Sequence, residues 1–385
     1  MEAPPATSVS TKAWKRVGDQ EDKRRKRLSQ QKLARLRVVE QARVAAPRHA
    51  EEEAAVVGGD GLSCVMHFEE PGEADGVGWG TSVKLSLPEQ MLERPHDLEE
   101  SWLCAAKPSG TRCLVQVSAK SKCTSTSLTG ALLHTFTARL PAGTILDCIF
   151  SPPTRTYVVL DCLAWRGQQY EQGTEFEFRQ FWLNSKLSEG DFRSEFQFSP
   201  LQFFACDRQG LEQARLYAQL DLNRDGVIFF HKEADYDVGL TPLVLQWSDL
   251  ATSSGLADMA SSGEQIVFLE PRVPSTTTST TIEEDCIKGV DLFTLEGFAV
   301  ASALQNAQLP ARPDGGGASQ HHRLLAKCVI SGVRDDDGQG HPCVDNLKIV
   351  EIQYTQDVLA DSWSKIYSDR ATLVGQALLT FDQLV

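Results

Sequence analysis

Between Asp19 and Ala46 the chain has neither glycine nor proline, and its charge is predominantly positive. Residues 12–48 hold thirteen Lys/Arg against four Asp/Glu, a balance of +9, while the whole chain of 385 residues stands at −14. With Glu2 the only charge ahead of residue 12, the remaining 337 residues carry −22. Such a run can make one long helix, because Ala, Leu, Gln, Arg and Lys are good helix formers. Asp19, Glu21 and Asp22 sit where a helix N-terminus favours negative charge, Asp19 as a candidate cap, and Pro47 marks the expected end. The apolar residues Leu28, Leu33, Leu36, Val39 and Val44 form only a thin stripe, too little for a core of its own. The sequence therefore predicts a helix over 19–46 that folds on an acidic partner surface, where the self-repulsion of its cations is relieved. The run Lys23–Arg27 suits a nuclear import receptor or a nucleic acid.

The rest of the chain reads as an ordinary globular sequence of two or three domains, 41% hydrophobic and 23% charged. No apolar window is long enough to span a membrane, and neither a secretory leader nor a membrane partner is expected. Ten scattered cysteines without a C-x-x-C pair read as reduced thiols, and no spacing suits a metal. Residues 49–80 are acidic and glycine-rich, a linker. From about Thr81 short strand-like runs follow one another: Trp102–Ala106, Cys113–Val117, Thr144–Phe150, Tyr157–Ala164, Glu175–Trp182, Val227–His231, Leu243–Trp247 and Gln265–Leu269. Leu211–Leu220 is the best helical stretch. Strands without regular βα alternation predict an α+β fold with a mainly antiparallel sheet, preceded by the long basic helix. Residues 273–281 form a Ser/Thr-rich linker. Residues 282–385 form a C-terminal region of unassigned role, with strands near Leu325–Ile330 and Leu347–Tyr354.

One stretch carries a chemical pattern: Lys107-Pro-Ser109-Gly110-Thr111-Arg112, between two strands. It resembles the K-x-D-G-x-R element of the covalent nucleotidyltransferases, the RNA capping enzymes and DNA ligases, with Ser109 at the Asp position. Leu146-Asp147, Tyr157–Trp165, Asp225-Gly226-Val-Ile-Phe229 and Leu243–Trp247 resemble the later elements of that core in the same order. The metal-binding Glu and both downstream lysines of the pattern are absent. Kept scaffold with lost chemistry resembles the snurportin family of nuclear import adaptors. That resemblance covers residues 19–46 and roughly 85–250.

What the resemblance implies is concrete. The arm, 1–48, binds importin-β through Lys23, Arg24, Arg25, Lys26, Arg27, Lys32, Arg35, Arg37 and Arg43. The domain at 81–272 binds the 2,2,7-trimethylguanosine cap of spliceosomal small nuclear RNA without catalysis, metal or cofactor, and an export receptor completes a shuttle between cytoplasm and nucleus. Cap-binding candidates are Trp247, Gly110, Thr111, Arg112, Lys107, Leu87, Lys120 and Lys122. An N7-methylated guanine is a delocalised cation, for which Trp is the best aromatic face; Trp247 is the stacking candidate. The family's pocket residues are replaced at Pro88, Gln90 and Leu128. The alternative is a covalent-lysine guanylyltransferase or related nucleotidyltransferase acting through Lys107. A calcium loop over 221–232 is disfavoured because Lys232 stands where a bidentate Glu is required.

Overall fold

The computed structural model describes residues 20–53 and 85–248 (apart from 119, 129, 191, 193 and 221–223), then 264–271, 290–295, 299–302, 323–334, 343–355, 361, 365–366 and 379–385. The expected cap at Asp19 and the linkers at 54–80 and 273–281 lie outside these residues.

The basic arm is one helix, α1 (Gln20–Glu53). It runs on past Pro47, where the sequence predicts its end, although the proline has no N–H to donate to the helix. Two packed sheets follow. The first has the order β1-β12-β11-β2-β10, from β1 (Ser86–Gln90), β2 (Trp102–Pro108), β10 (Phe204–Ala205), β11 (Arg224–His231) and β12 (Gly239–Trp247). β1 runs parallel to β12 and the other pairs are antiparallel. The second sheet is β5-β4-β3-β6-β7-β8, from β3 (Thr111–Val117), β4 (Lys122–Ser127), β5 (Leu132–Thr137), β6 (Ile145–Ser151), β7 (Thr156–Trp165) and β8 (Gln168–Gln169), with β9 (Gln197–Pro200) added parallel to β7. The short helix α2 (Leu98–Ser101) leads into β2.

The first sheet is buried on both faces, which is why Val227-Ile-Phe-Phe230 reads as a continuous apolar run. Ile228 and Phe230 point to the seam between the sheets, with Ala105, Ile149, Leu160 and Val244. Val227 and Phe229 point the other way, with Trp102, Trp247 and Leu211 of α4 (Arg208–Leu220). The C-terminal helix α5 (Phe381–Leu384) closes that outer layer through Leu384.

The stretch Glu175–Trp182, read from sequence as a strand, belongs to helix α3 (Phe176–Ser188). Its aromatic residues favour a strand locally, but the buried set is Phe176, Arg179, Gln180 and Leu183, a helical spacing of i, i+3, i+4 and i+7. Two of these four are polar, which hides the period from a hydrophobicity count.

The C-terminal residues make a third sheet, β15-β14-β13-β16-β17, from β13 (Glu264–Pro271), β14 (Val290–Phe293), β15 (Ala299–Ser302), β16 (Arg323–Arg334) and β17 (Cys343–Thr355). All its pairs are antiparallel, and β15 also touches β17, so the sheet curls toward closure. This is the strand order of a small five-stranded Greek-key barrel of the OB type. β13, which the sequence reading put in the domain at 81–272, pairs here instead. Among the described residues seven cysteines, Cys113 and Cys148 facing each other across β3 and β6 among them, are free and buried.

Candidate functional site

The hairpin from β2 to β3 turns at Gly110. Its φ of 149° suits glycine, and an added Cβ would stand 2.2 Å from the carbonyl oxygen of Phe150. The turn joins Lys107 on β2 of the first sheet to Arg112 on β3 of the second. They border a cavity of about 400 Å³ between the sheets and the C-terminal region. Leu87 and Pro88 of β1, Ser109 and Gly110 of the turn, Leu128, Ile149 and Gln246 also line it, and Leu295, Asp361 and Lys365 close it from beyond residue 248.

Within this site Arg112 has a fixed task. Its Nε and Nη2 donate to Asp147 at 2.6 and 2.7 Å, and Nη2 also donates to the Ser86 carbonyl at 3.3 Å. Burial works against the Arg112 cation, but the Asp147 carboxylate outweighs it and raises the guanidinium pKa above its ordinary value. Tyr236 donates its hydroxyl to Asp147 at 2.7 Å and accepts from the Ser86 amide at 3.0 Å. Asp147, fully buried between the sheets, thus ties β3, β6, β1 and the loop before β12 together. Lys107 donates to Gln246 Oε1 at 2.9 Å, so a compact cation stands on the cavity wall.

Of the eight residues put forward from sequence for the pocket, Lys107, Gly110, Arg112 and Leu87 line the cavity. Thr111, Lys120 and Lys122 are exposed and line no part of it. The stacking expectation for Trp247 is corrected: its ring is 3% exposed among Trp102, Phe229 and Leu384, and its Nε1 donates to the Leu379 carbonyl at 2.9 Å. The residue sits at the end of a strand, and the strand's period of two turns its ring to the outer layer while Gln246 faces the cavity. Pro88 and Leu128, where the family's residues are replaced, do line the cavity; Gln90 instead offers its carbonyl to the arm.

The arm's docking surface was missed from sequence. Helix α1 lies against the loop Glu233-Ala-Asp-Tyr-Asp237. Arg27 grips Asp237 with two hydrogen bonds of 2.8 and 2.6 Å, Lys32 pairs with Glu233 at 2.7 Å, and Arg35 reaches Asp235 at 2.5 Å. Gln31 donates to Asp237 at 2.9 Å and accepts from the Asp235 amide at 3.0 Å. Gln20 donates to Glu89 at 3.3 Å and to the Gln90 carbonyl at 2.9 Å. Glu233 is lowered in pKa first by the hydrogen bond from Lys32, whereas Asp235 is raised by its burial despite Arg35. The docking face is Gln20, Arg24, Arg27, Gln31 and Arg35, a polar stripe at helical period. The signal on the body is the alternation Glu-x-Asp-x-Asp: acids at 233, 235 and 237 face the arm, and Ala234 and Tyr236 are buried inward. Leu33, Leu36 and Val39, from the thin apolar stripe, are exposed, as are Arg25, Lys26, Arg37 and Arg43.

In the stretch 221–232, where a calcium loop is disfavoured from sequence, Asp225 and Gly226 belong to strand β11. Among the described residues no group of three acidic, His or Cys side chains could hold a metal ion, and no helix is long and apolar enough to cross a membrane.

Two packed sheets with a lysine-bearing glycine hairpin on the pocket between them define a mainly antiparallel α+β domain. Among the solved structures that align with the chain are DNA ligases. A Lig E DNA ligase aligns at 13% identity and TM-score 0.30 over 73% of this chain and 100% of that one. A mycobacterial DNA ligase D complexed with ATP and MES aligns at 11% and 0.33 over 73% and 99%. The ligase domain of M. tuberculosis LigD aligns at 12% and 0.31 over 70% and 93%. Likeness that loose says nothing of activity. Residues 84–248 match the family model described as the Snurportin1 m3G cap-binding domain. The match covers less than half of the chain, and it is this domain that is similar to the snurportin family.

Proposed function

We propose that the protein is a nuclear import adaptor that binds the trimethylguanosine cap of spliceosomal small nuclear RNA and recruits importin-β through its basic arm. The observation that carries this reading is the family match over the very domain whose hairpin builds the cavity. The pocket's chemistry is that of a binder. The position two residues after Asp147, where the nucleotidyltransferase pattern holds its metal-binding Glu, is the pocket-lining Ile149. The first downstream lysine position is Gln246, which engages Lys107. Phosphoryl transfer relies on carboxylates to hold the metal and on cations to neutralise the leaving group. The −22 body also disfavours broad contact with an RNA backbone, whereas one methylated, positively charged base is compatible with it.

The arm serves the receptor in this reading, and its exposed cations Arg25, Lys26, Arg37 and Arg43 are available for first contact while Arg27, Lys32 and Arg35 hold the body. Importin-β must then displace Glu233, Asp235 and Asp237 to engage the whole helix. The protein shuttles between cytoplasm and nucleus, leaving with an export receptor.

The full-length chain titrated with unmethylated, monomethyl and trimethyl cap analogues tests the reading. It is expected to prefer the methylated caps, and equal affinity for all three refutes it. Deleting residues 12–48 is expected to abolish importin-β binding and spare cap binding. A Lys107-dependent covalent adduct with labelled GTP and Mg²⁺ would instead establish a nucleotidyltransferase.

A further inference from the structure

We infer that Lys365, from the C-terminal region, contacts the phosphate bridge of the bound cap, so that the cap site is shared between the family-matched domain and the third sheet. The inference rests on the cap-binding reading and adds a residue that lies outside the matched segment 84–248.

The cavity has three basic side chains on its wall, Arg112, Lys107 and Lys365. Arg112 is committed: a buried carboxylate takes its Nε and Nη2, and the Ser86 carbonyl takes Nη2 as well. Withdrawing it to reach a phosphate would leave Asp147 buried without its cation, a costly exchange. The two lysines differ. An ammonium is a point charge on a flexible stem and can turn from one acceptor to another with little strain. Lys107 stands on the hairpin side and Lys365 on the C-terminal side, so a ligand in the cavity meets a cation from each module.

Lys365 is held at the cavity by a firmly seated acid. Asp361 donates its amide to the Ile266 carbonyl at 2.7 Å, and its carbonyl accepts from the Leu295 amide at 3.0 Å. Its Oδ2 accepts from the Ile266 amide at 2.9 Å, and its Oδ1 pairs with Lys365 at 2.9 Å. Two of these bonds fasten Asp361 to β13, so the lysine is placed by the third sheet and not by a free loop. The Lys365 side chain keeps 29% of its surface accessible, so a ligand in the cavity can reach it. A cap joins its methylated guanosine to the RNA through three consecutive phosphates. In a body of −22, cations brought to one cavity from two modules suit that short, dense anion.

The test uses the full-length chain and two probes, the trimethylguanosine cap dinucleotide with its triphosphate bridge and the trimethylguanosine nucleoside without phosphates. K365A is expected to weaken the dinucleotide about tenfold, the worth of one charge-assisted contact, and to leave the nucleoside unchanged. K107A is expected to give the same pattern, and K365R to retain most of the dinucleotide affinity. Unchanged dinucleotide affinity in K365A overturns the inference. So does equal weakening of both probes, which marks a lost wall and not a lost charge. If K365A melts below the wild type, K365M keeps the aliphatic stem and is read the same way. Failure of the wild-type chain to bind either probe is a separate result, since it removes the cap-binding reading itself.

Discussion

The loop Glu233–Asp237 lies between two arginine–aspartate systems of the same chemistry and opposite use. On its inner side Arg179 of α3 grips Asp161 of β7 with bonds of 2.8 and 2.7 Å, both side chains 2% exposed, and donates to the carbonyls of Ala234 and Thr174. On its outer side Arg27 of the arm grips Asp237 just as closely, but the arginine is 46% exposed. Geometry is shared and solvent is not. The inner pair is locked, because removing either partner strands a buried charge. The outer pairs are weakened by salt and by any rival acidic surface. One five-residue segment thus anchors the body and offers a reversible seat to the arm.

The largest way to break that comparison is Arg179→Ala, expected to destabilise the chain by about 3–5 kcal/mol, read by denaturant unfolding and little changed by added salt. A smaller inner effect follows from Trp247→Phe. It removes the Nε1 bond to Leu379 at a cost of about 1 kcal/mol and leaves cap-analogue affinity at the wild-type value; a large loss of affinity would return this ring to the pocket. The Asp97 carboxyl is held well below the usual range, first by His231 and then by Trp102 Nε1. A lowered folded pKa gives stability that is present above the ordinary value near 4 and lost as the pH falls below it. Asp97→Asn is expected to lower stability at neutral pH and to flatten the acid limb of the unfolding curve. The smallest effect belongs to the outer seam. Arg27→Ala is expected to cost about 0.2–1 kcal/mol, a difference that disappears in high salt, with faster proteolysis inside residues 20–43 as its direct readout. Inside the second sheet, burial pushes the Cys113 and Cys162 thiols up to about 12. Both are expected to resist thiol reagents at pH 8 until the chain unfolds.

The strands of both matched sheets were legible because their apolar runs are short and bounded by turns, and the hairpin was legible because Gly110 has a steric reason to be there. Helix α3 was not, since Arg179 and Gln180 occupy buried positions that a hydrophobic period counts as surface. The arm's contact face escaped for the same reason: a seam made of Gln and Arg against Asp and Glu leaves no apolar stripe to count. Trp247 was misplaced because a tryptophan ending a strand beside polar neighbours reads alike whether its ring faces a ligand or a core.

By itself the sequence determined the charge division into arm and body, the long basic helix, the antiparallel α+β framework and the lysine-bearing hairpin, since each follows from local composition, period or a steric demand. Only the tertiary structure decided which acids receive the arm, which ring is core, that Arg112 answers to Asp147, and that Asp361 and Lys365 reach the cavity from more than a hundred residues beyond Gln246. Those are meetings of side chains distant in sequence. They depend on sheet packing and register, and no local pattern encodes them.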